Sequence, residues 1–245
     1  MTATCYAIDL VTFDVGRTLL RFRPDLAAAY AEVLGEVGVS VSPEAISAAL
    51  RAESRDTAGR HQATARPDHH VTFEEGDSRR RAFVVGVLQR AGVPDADFDD
   101  ALTAVRASLD SSRMYVLYHD TLPALASLWD RGLKLGVISN NRPAIGRILM
   151  QFGLDAYLGF WVLSENVGYA KPARAIFEQA LDIGAARPER ALHVGDHLQE
   201  DYEGARDAGL QAVLLDRDGS APVTDGEGRA IVKIERLTDL LLALG

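Results

Sequence analysis

The sequence predicts an α/β fold: a parallel β-sheet flanked by helices, with an all-helical block inserted after the first strand. Three observations predict it. Short β-prone apolar runs (residues 8–13, 133–138, 160–163, 191–194 and 212–215) alternate with segments of helical periodicity, which implies right-handed crossovers and parallel pairing. From Pro24 to about Arg113 the periodicity is helical only. The apolar runs then end in polar residues (Asp14, Ser139 with Asn140, Asp196), and the carboxyl ends of parallel strands are where such sheets bind ligands.

Composition narrows the function. A chain of 245 residues with 47% hydrophobic content can bury a full core. A formal charge of −9 argues against a nucleic-acid partner, because phosphate contacts need clustered Lys and Arg, and the short run Arg79-Arg80-Arg81 reads as a solvated helix face. Cys5 is the only cysteine, which excludes an internal disulfide and a thiolate zinc site. No basic start leads into an apolar run and no apolar stretch is long enough to span a bilayer, so neither a signal peptide nor a membrane partner is expected and a cytoplasmic location is. The sequence leaves monomer and homodimer equally open.

In chain order, residues 8–13 form the first strand, and Gly16 lets the chain turn after Asp14. Asp25 is expected to cap a helix carrying Leu26, Tyr30, Val33, Leu34 and Val37 and ending at Gly38. Ser42-Pro43 opens a second helix with Ile46 and Leu50 inward. Residues 57–76 are polar, hold His61, His69 and His70, and read as a loop. Ser78 opens a third helix, stopped at Gly92, and residues 94–109 give a fourth. The α/β rhythm resumes with a helix from Asp120 to Gly132, the strand 133–138, a helix from Pro143 to Phe152, and the strand 160–163. Helix 173–181, strand 191–194, helix 200–208, strand 212–215, a Gly- and Asp-rich loop, a short strand 231–234 and a terminal helix follow. Trp129 and Trp161 read as core or interface packing residues.

The polar groups at the strand ends form a set: Asp14, Ser139, Asn140, Lys171, Asp196 and Asp201. Such a set offers a carboxylate nucleophile, a hydroxyl donor, a fixed cation and further carboxylates, which suits phosphoryl transfer with a hard divalent cation. The stretches Phe13-Asp14-Val15-Gly16-Arg17-Thr18-Leu19, Val137-Ile138-Ser139-Asn140, Ala170-Lys171-Pro172 and Val194-Gly195-Asp196 with Asp201 resemble, in order and spacing, motifs one to four of the haloacid dehalogenase-like hydrolases. The helical insert resembles that family's C1-type cap, as in subfamily IA. The tail of motif one and Tyr30-Ala31 resemble a subgroup of haloacid dehalogenase-like hydrolase domain-containing proteins.

The resemblance implies a Rossmann-like core of residues 1–20 and 116–245 with a helical cap domain of residues 21–115. It implies Asp14 as the nucleophile that becomes an aspartyl-phosphate, with Ser139 and Lys171 catalytic. Asn140 and Arg17 are expected to bind substrate. Mg²⁺ is expected on Asp14, the Gly16 carbonyl, Asp196 and Asp201, and a small phosphorylated metabolite is the expected partner, with specificity set by the cap.

The departure from the family pattern is Gly16, where family phosphatases carry a second Asp that protonates the leaving group and activates water. General acid–base help of that kind is worth about 10²–10⁴ in rate. Arg17 cannot replace it, since guanidinium does not release its proton; His119, His197 or a histidine of the helical insert are the candidate substitutes. Three functions stay open: a Mg²⁺-dependent phosphatase, a metal-free 2-haloacid dehalogenase, and a low-activity or non-catalytic binding protein of this fold.

Overall fold

The computed structural model describes residues 8–61 and 72–243. The described residues divide into two compact units, one made of residues 8–21 and 117–243, the other of residues 22–61 and 72–116.

The first unit is built on a six-stranded parallel sheet. Its strands in chain order are β1 (Leu10–Phe13), β4 (Lys134–Ser139), β5 (Phe160–Leu163), β6 (Ala191–Gly195), β7 (Gln211–Leu215) and β8 (Lys233–Ile234), in the spatial order β5-β4-β1-β6-β7-β8. Strand β1 lies in the middle, hydrogen-bonded to β4 on one side and β6 on the other. The chain therefore leaves β1 toward one half of the sheet and later fills the other, which opens a crevice at the carboxyl ends of β1, β4 and β6. All residues of β1 and β6 are buried, as expected of strands covered on both faces. The crossovers carry helices α5 (Thr121–Asp130), α6 (Ala144–Gln151), α7 (Ser164–Val167), α8 (Arg174–Gly184) and α9 (Gly204–Asp207), and α10 (Leu240–Ala243) follows β8. Leu10, Ile138, Val162, Ile176, Phe177, Ala191 and Tyr202 form the core between the sheet and α8 and α9.

The described residues of the second unit include the helices α1 (Leu26–Glu36), α2 (Pro43–His61), α3 (Phe73–Arg90) and α4 (Phe98–Leu109). They pack through Tyr30, Val33, Leu34, Ile46, Val84, Val87, Leu88 and Val105. Glu53 of α2 is buried and paired with Arg90 at 3.0 Å, and a side chain at Gly86 would meet the Glu53 carboxylate at 2.4 Å. The segments joining the units are themselves strands, β2 (Leu20–Phe22) and β3 (Tyr115–Leu117), which pair with each other; Phe22 and Tyr115 stack at 4.9 Å between ring centres.

Several boundaries differ from those the sequence predicts. Strands β2 and β3 are three residues each, too short for a period to register. Asp25 precedes α1 but caps nothing; its carboxylate is held by Arg23 instead. The expected loop 57–76 is helical at both ends, since α2 runs to His61 and α3 starts at Phe73. Thr72 and Glu75 close that start with a reciprocal capping box, a signal that outranks Ser78. His69 and His70 lie outside the described residues. The expected helix 200–208 begins as a π-helical turn, Leu198–Glu203. Trp161 packs against Gly146, whereas Trp129 is 49% exposed and belongs to the surface.

Leu10 is fully buried at the centre of the sheet, whereas Val223 is 75% exposed. Leu10→Ala is expected to cost about 2–5 kcal/mol, read as a lowered urea midpoint, and Val223→Ala to stay within about 0.5 kcal/mol of the parent.

Candidate active site

The crevice gathers the predicted residues around one ammonium group. Lys171 stands on the loop after α7, its peptide bond to Pro172 is cis, and its side chain is 1% exposed. Nζ donates three hydrogen bonds, to Asp14 Oδ1 at 2.8 Å, Asp201 Oδ1 at 2.5 Å and the Ile138 carbonyl at 2.9 Å. An ammonium has three protons, so Lys171 is fully satisfied in a dry site. Burial opposes its charge, but the carboxylates of Asp14 and Asp201 outweigh that and hold the lysine above its ordinary value.

Asp14 follows β1 directly, and its backbone N–H donates to Val194 of β6, which fixes the direction of its side chain. Ser139, the last residue of β4, donates Oγ–H to Asp14 Oδ1 at 3.1 Å. Oδ1 is thus held by Ser139 and Lys171, while Oδ2 has no hydrogen-bond partner among the described residues. Oδ2 is the oxygen available for chemistry. Burial pushes the Asp14 carboxyl up; Lys171 pulls against that and Asp201 adds to it.

Asp201 sits on the π-helical turn, completely buried. Its Oδ1 accepts from Lys171 and His193, and its Oδ2 from the His197 backbone N–H at 2.9 Å. Burial opposes its charge, yet Lys171 and His193 bring it far below the usual carboxylate range. Gly195 makes the arrangement possible, because a Cβ there would fall 2.2 Å from Asp201 Cγ. Asp196 completes an acidic group: one oxygen each from Asp14, Asp196 and Asp201 lie within 4.8 Å of one another. Burial raises the Asp196 carboxyl to about 6, with Asp14 and Asp201 adding repulsion. Three hard oxygens so close, one of them pushed toward protonation, are a donor set that fits a divalent cation.

The side chains of the two expected substrate-binding residues make contacts within the protein. Asn140 donates Nδ2–H to the Lys171 carbonyl and to Glu200 Oε2, and its Oδ1 accepts from the Lys171 N–H at 2.6 Å. Its side chain brackets the loop that carries Lys171, and these bonds do not involve the Asn140 backbone N–H, on which the expected contact to substrate rests. Arg17 pairs with Asp196 at 2.9 Å and Asp218 at 3.4 Å, so it faces the acidic group instead of an open anion site. Its φ of 58° lies in the left-handed region, where glycine is at ease and a side chain costs about 1–2 kcal/mol. Arg217 holds the turn in that shape: it donates to the carbonyls of Arg17 and Thr18 and to both oxygens of buried Asp120, and it stacks 3.8 Å over Tyr118. A cavity of about 380 Å³ opens beside Asp196, lined by Arg17, Tyr118, Leu198, Arg217, Asp218 and Pro222 among others.

Gly16 stands in open space: a Cβ built there meets no heavy atom within 4 Å among the described residues. Of the candidate substitutes, His197 is an exposed cap whose Nδ1 accepts from Glu200 N, and His119 is exposed; the side chains of His61, His69 and His70 lie outside the described residues. Sequence reasoning missed His193, Thr12, Glu200 and Arg217. The only available signal was His193 two residues before Gly195 on a strand, where alternation aims it to the same face.

The Asp196 shift fixes a pH dependence. Its folded carboxyl titrates at about 6, against about 3.9 in an unfolded chain. Between those values the folded chain holds a proton that the unfolded chain has released, so this group's contribution to stability falls as pH rises from about 4 to about 6. In EDTA, melting curves are expected to show Asp196→Asn gaining on the parent across that window; a constant difference from pH 4 to pH 7 would contradict the shift.

The comparisons with known proteins agree with this geometry. The family described as haloacid dehalogenase-like hydrolase matches residues 8–209. Haloacid dehalogenase-like hydrolase domain-containing protein 3 of Xenopus laevis is 30% identical over 213 residues, covering 85% of this chain and 84% of that protein. Phosphoserine phosphatase of Thermus thermophilus is 33% identical over 169 residues, covering 69% and 66%. Among solved structures, the HAD hydrolase YfnB of Bacillus subtilis, crystallised with magnesium, superposes with a TM-score of 0.75 at 20% identity, covering 98% of this chain and 100% of that one. The matched residues include Asp14, Ser139, Lys171, Asp196 and Asp201, and the chain belongs to the haloacid dehalogenase-like hydrolases.

Proposed function

We propose that this hydrolase is a metal-dependent phosphatase that cleaves a small phosphorylated metabolite through an aspartyl-phosphate on Asp14. The observation that carries the reading is the division of labour on Asp14: Oδ1 is held by Ser139 and Lys171, Oδ2 is left open, and the carboxylate lies in one acidic group with Asp196 and Asp201. The kinship with a phosphoserine phosphatase supports it. Asp14 Oδ2 forms a bond to phosphorus as the ester P–O bond breaks, and the alcohol oxygen leaves with the electron pair. Water then attacks the phosphorus of the aspartyl-phosphate, releasing phosphate and restoring Asp14. Ser139 and Lys171 fix the direction of attack and absorb charge that develops at the reacting oxygens. Asp14, Asp196 and the Gly16 carbonyl would hold Mg²⁺, with Asp201 behind them, and the ion would screen the repulsion between carboxylate and phosphate. The cavity beside Asp196 suits the alcohol portion of the ester.

Gly16 supports a preference for esters whose leaving oxygen needs no proton, since it carries no side chain and none of the described residues reaches within 4 Å of where its Cβ would be. Gly16 also favours a second reading, carbon–halogen cleavage without metal, which the three clustered carboxylates disfavour.

The test is hydrolysis of p-nitrophenyl phosphate. Turnover with Mg²⁺, none in EDTA and none in Asp14→Asn is the expected result; no metal-dependent turnover in the parent, or full activity in Asp14→Asn, overturns the reading. Halide release from 2-chloropropionate in EDTA would put the second reading in its place. Because a side chain fits at position 16 without collision, Gly16→Asp is expected to speed hydrolysis of alkyl phosphates by about 10²-fold or more, with a smaller gain on the aryl ester. Equal effects on both would mean that leaving-group protonation does not limit the rate.

A further inference from the structure

His193 has no place in the chemistry above, yet it is a polar ring in the middle of the sheet. It is 1% exposed on β6, and the residue opposite it on β1 is Thr12, also fully buried. An imidazole at such a position gives up its hydration and packs less well than an aliphatic side chain, a loss offset only if both nitrogens find partners. They do. Nδ1 lies 2.9 Å from Thr12 Oγ1, and Nε2 lies 3.3 Å from Asp201 Oδ1, with the ring edge-on to Phe177.

The protons can be assigned from the partners. Asp201 is charged and only accepts, so Nε2 carries the hydrogen. Nδ1 is then a lone pair and accepts the Thr12 hydroxyl proton; the alternative acceptor for that hydroxyl, the Leu192 carbonyl, is farther, at 3.3 Å. One tautomer satisfies every group. Strand alternation extends the line: Thr12 and Asp14 share one face of the sheet, as do His193 and Gly195, and the missing side chain of Gly195 is where the Asp201 carboxylate lodges.

We propose that Thr12 and His193 form a relay of positioning residues that fixes the Asp201 carboxylate and, through it, the Lys171 ammonium beside Asp14. Lys171 on Oδ1 and the His197 N–H on Oδ2 give each Asp201 oxygen one donor. The Nε2–H of His193 gives Oδ1 a second donor from within the sheet, so that Oδ1 stays aimed at Lys171, as partners behind a reactive group do in general. The relay rests on the phosphatase reading for its effect on rate, but its hydrogen-bond pattern does not.

Two measurements test it. The first is ¹⁵N NMR of histidine-labelled protein, with the His193 signals identified by their loss in His193→Gln. The Nε2–H tautomer, with Nδ1 unprotonated, is expected in the parent at neutral pH, together with a change in the Nδ1 signal in Thr12→Val. The Nδ1–H tautomer, or no response to Thr12→Val, overturns the relay even if the protein turns over no phosphate ester.

The second is turnover of p-nitrophenyl phosphate. His193→Leu is expected to lower kcat by about 10–100-fold with KM little changed. His193→Gln, whose amide N–H can reach Asp201, is expected to recover most of the loss. A folded His193→Leu with parental kcat, in a preparation whose parent is active, overturns the relay and leaves the phosphatase reading standing. If His193→Leu does not fold, Thr12→Val carries the kinetic arm: a lower kcat at unchanged KM supports the relay, and parental kcat overturns it.

Discussion

A single buried cation organises the site. The Lys171 ammonium lies out of water, and an isolated charge in that setting costs several kcal/mol unless fully matched. Asp14, Asp201 and the end of β4 each donate one acceptor to match it. Those acceptors come from three strand ends, so the charge can be satisfied only when β1, β4 and β6 are in register and the loops after them are in place. The same condition that folds the crevice therefore builds the reactive geometry. It also explains why Asn140 turns inward: its amide clamps both the N–H and the carbonyl of Lys171 and so holds the ammonium against its partners.

Electrostatics divide the carboxylates by their distance from that cation. Asp201 touches it and is held as an anion. Asp196 does not touch it, and burial and two like charges raise its carboxyl, with Arg17 and Lys171 offsetting them only in part. Asp14 stands between, one oxygen bound and one open. An acidic group with this gradient gains most from a cation at its unsatisfied end. Arg17 occupies that flank at the cost of a left-handed backbone, which Arg217 and Asp120 underwrite from behind.

Much of this was legible in the chain. The parallel sheet followed from alternating apolar runs, and the set Asp14, Ser139, Lys171, Asp196 and Asp201 from their positions at strand ends, because strand order in such sheets brings those ends together whatever the sequence distance. What escaped notice has a common cause. The roles of Asn140, His193, Thr12 and Arg217 depend on which atoms meet across the site, with partners 8 to 200 residues away, and no local period encodes that. Arg17 looked like a free cation because its partners Asp196 and Asp218 lie on other loops. Strands β2 and β3 escaped because each is only three residues long, and the ends of α2 and α3 because a polar helix has little periodicity to read.

The π-helical turn Leu198–Glu203 makes the site sensitive to chain length. Tyr202 N reaches back five residues to the His197 carbonyl, one more than an α-helix spans, so the turn carries a surplus residue that aims Asp201 at Lys171 while Glu200 meets Asn140. Deleting one residue there would turn every side chain after it by about 100° around the helix axis, carrying Asp201 away from the ammonium and taking Tyr202 and Ala205 out of the core they fill. The length of chain between His197 and Gly204 is therefore fixed twice, by the acceptor that Lys171 needs and by the packing behind it.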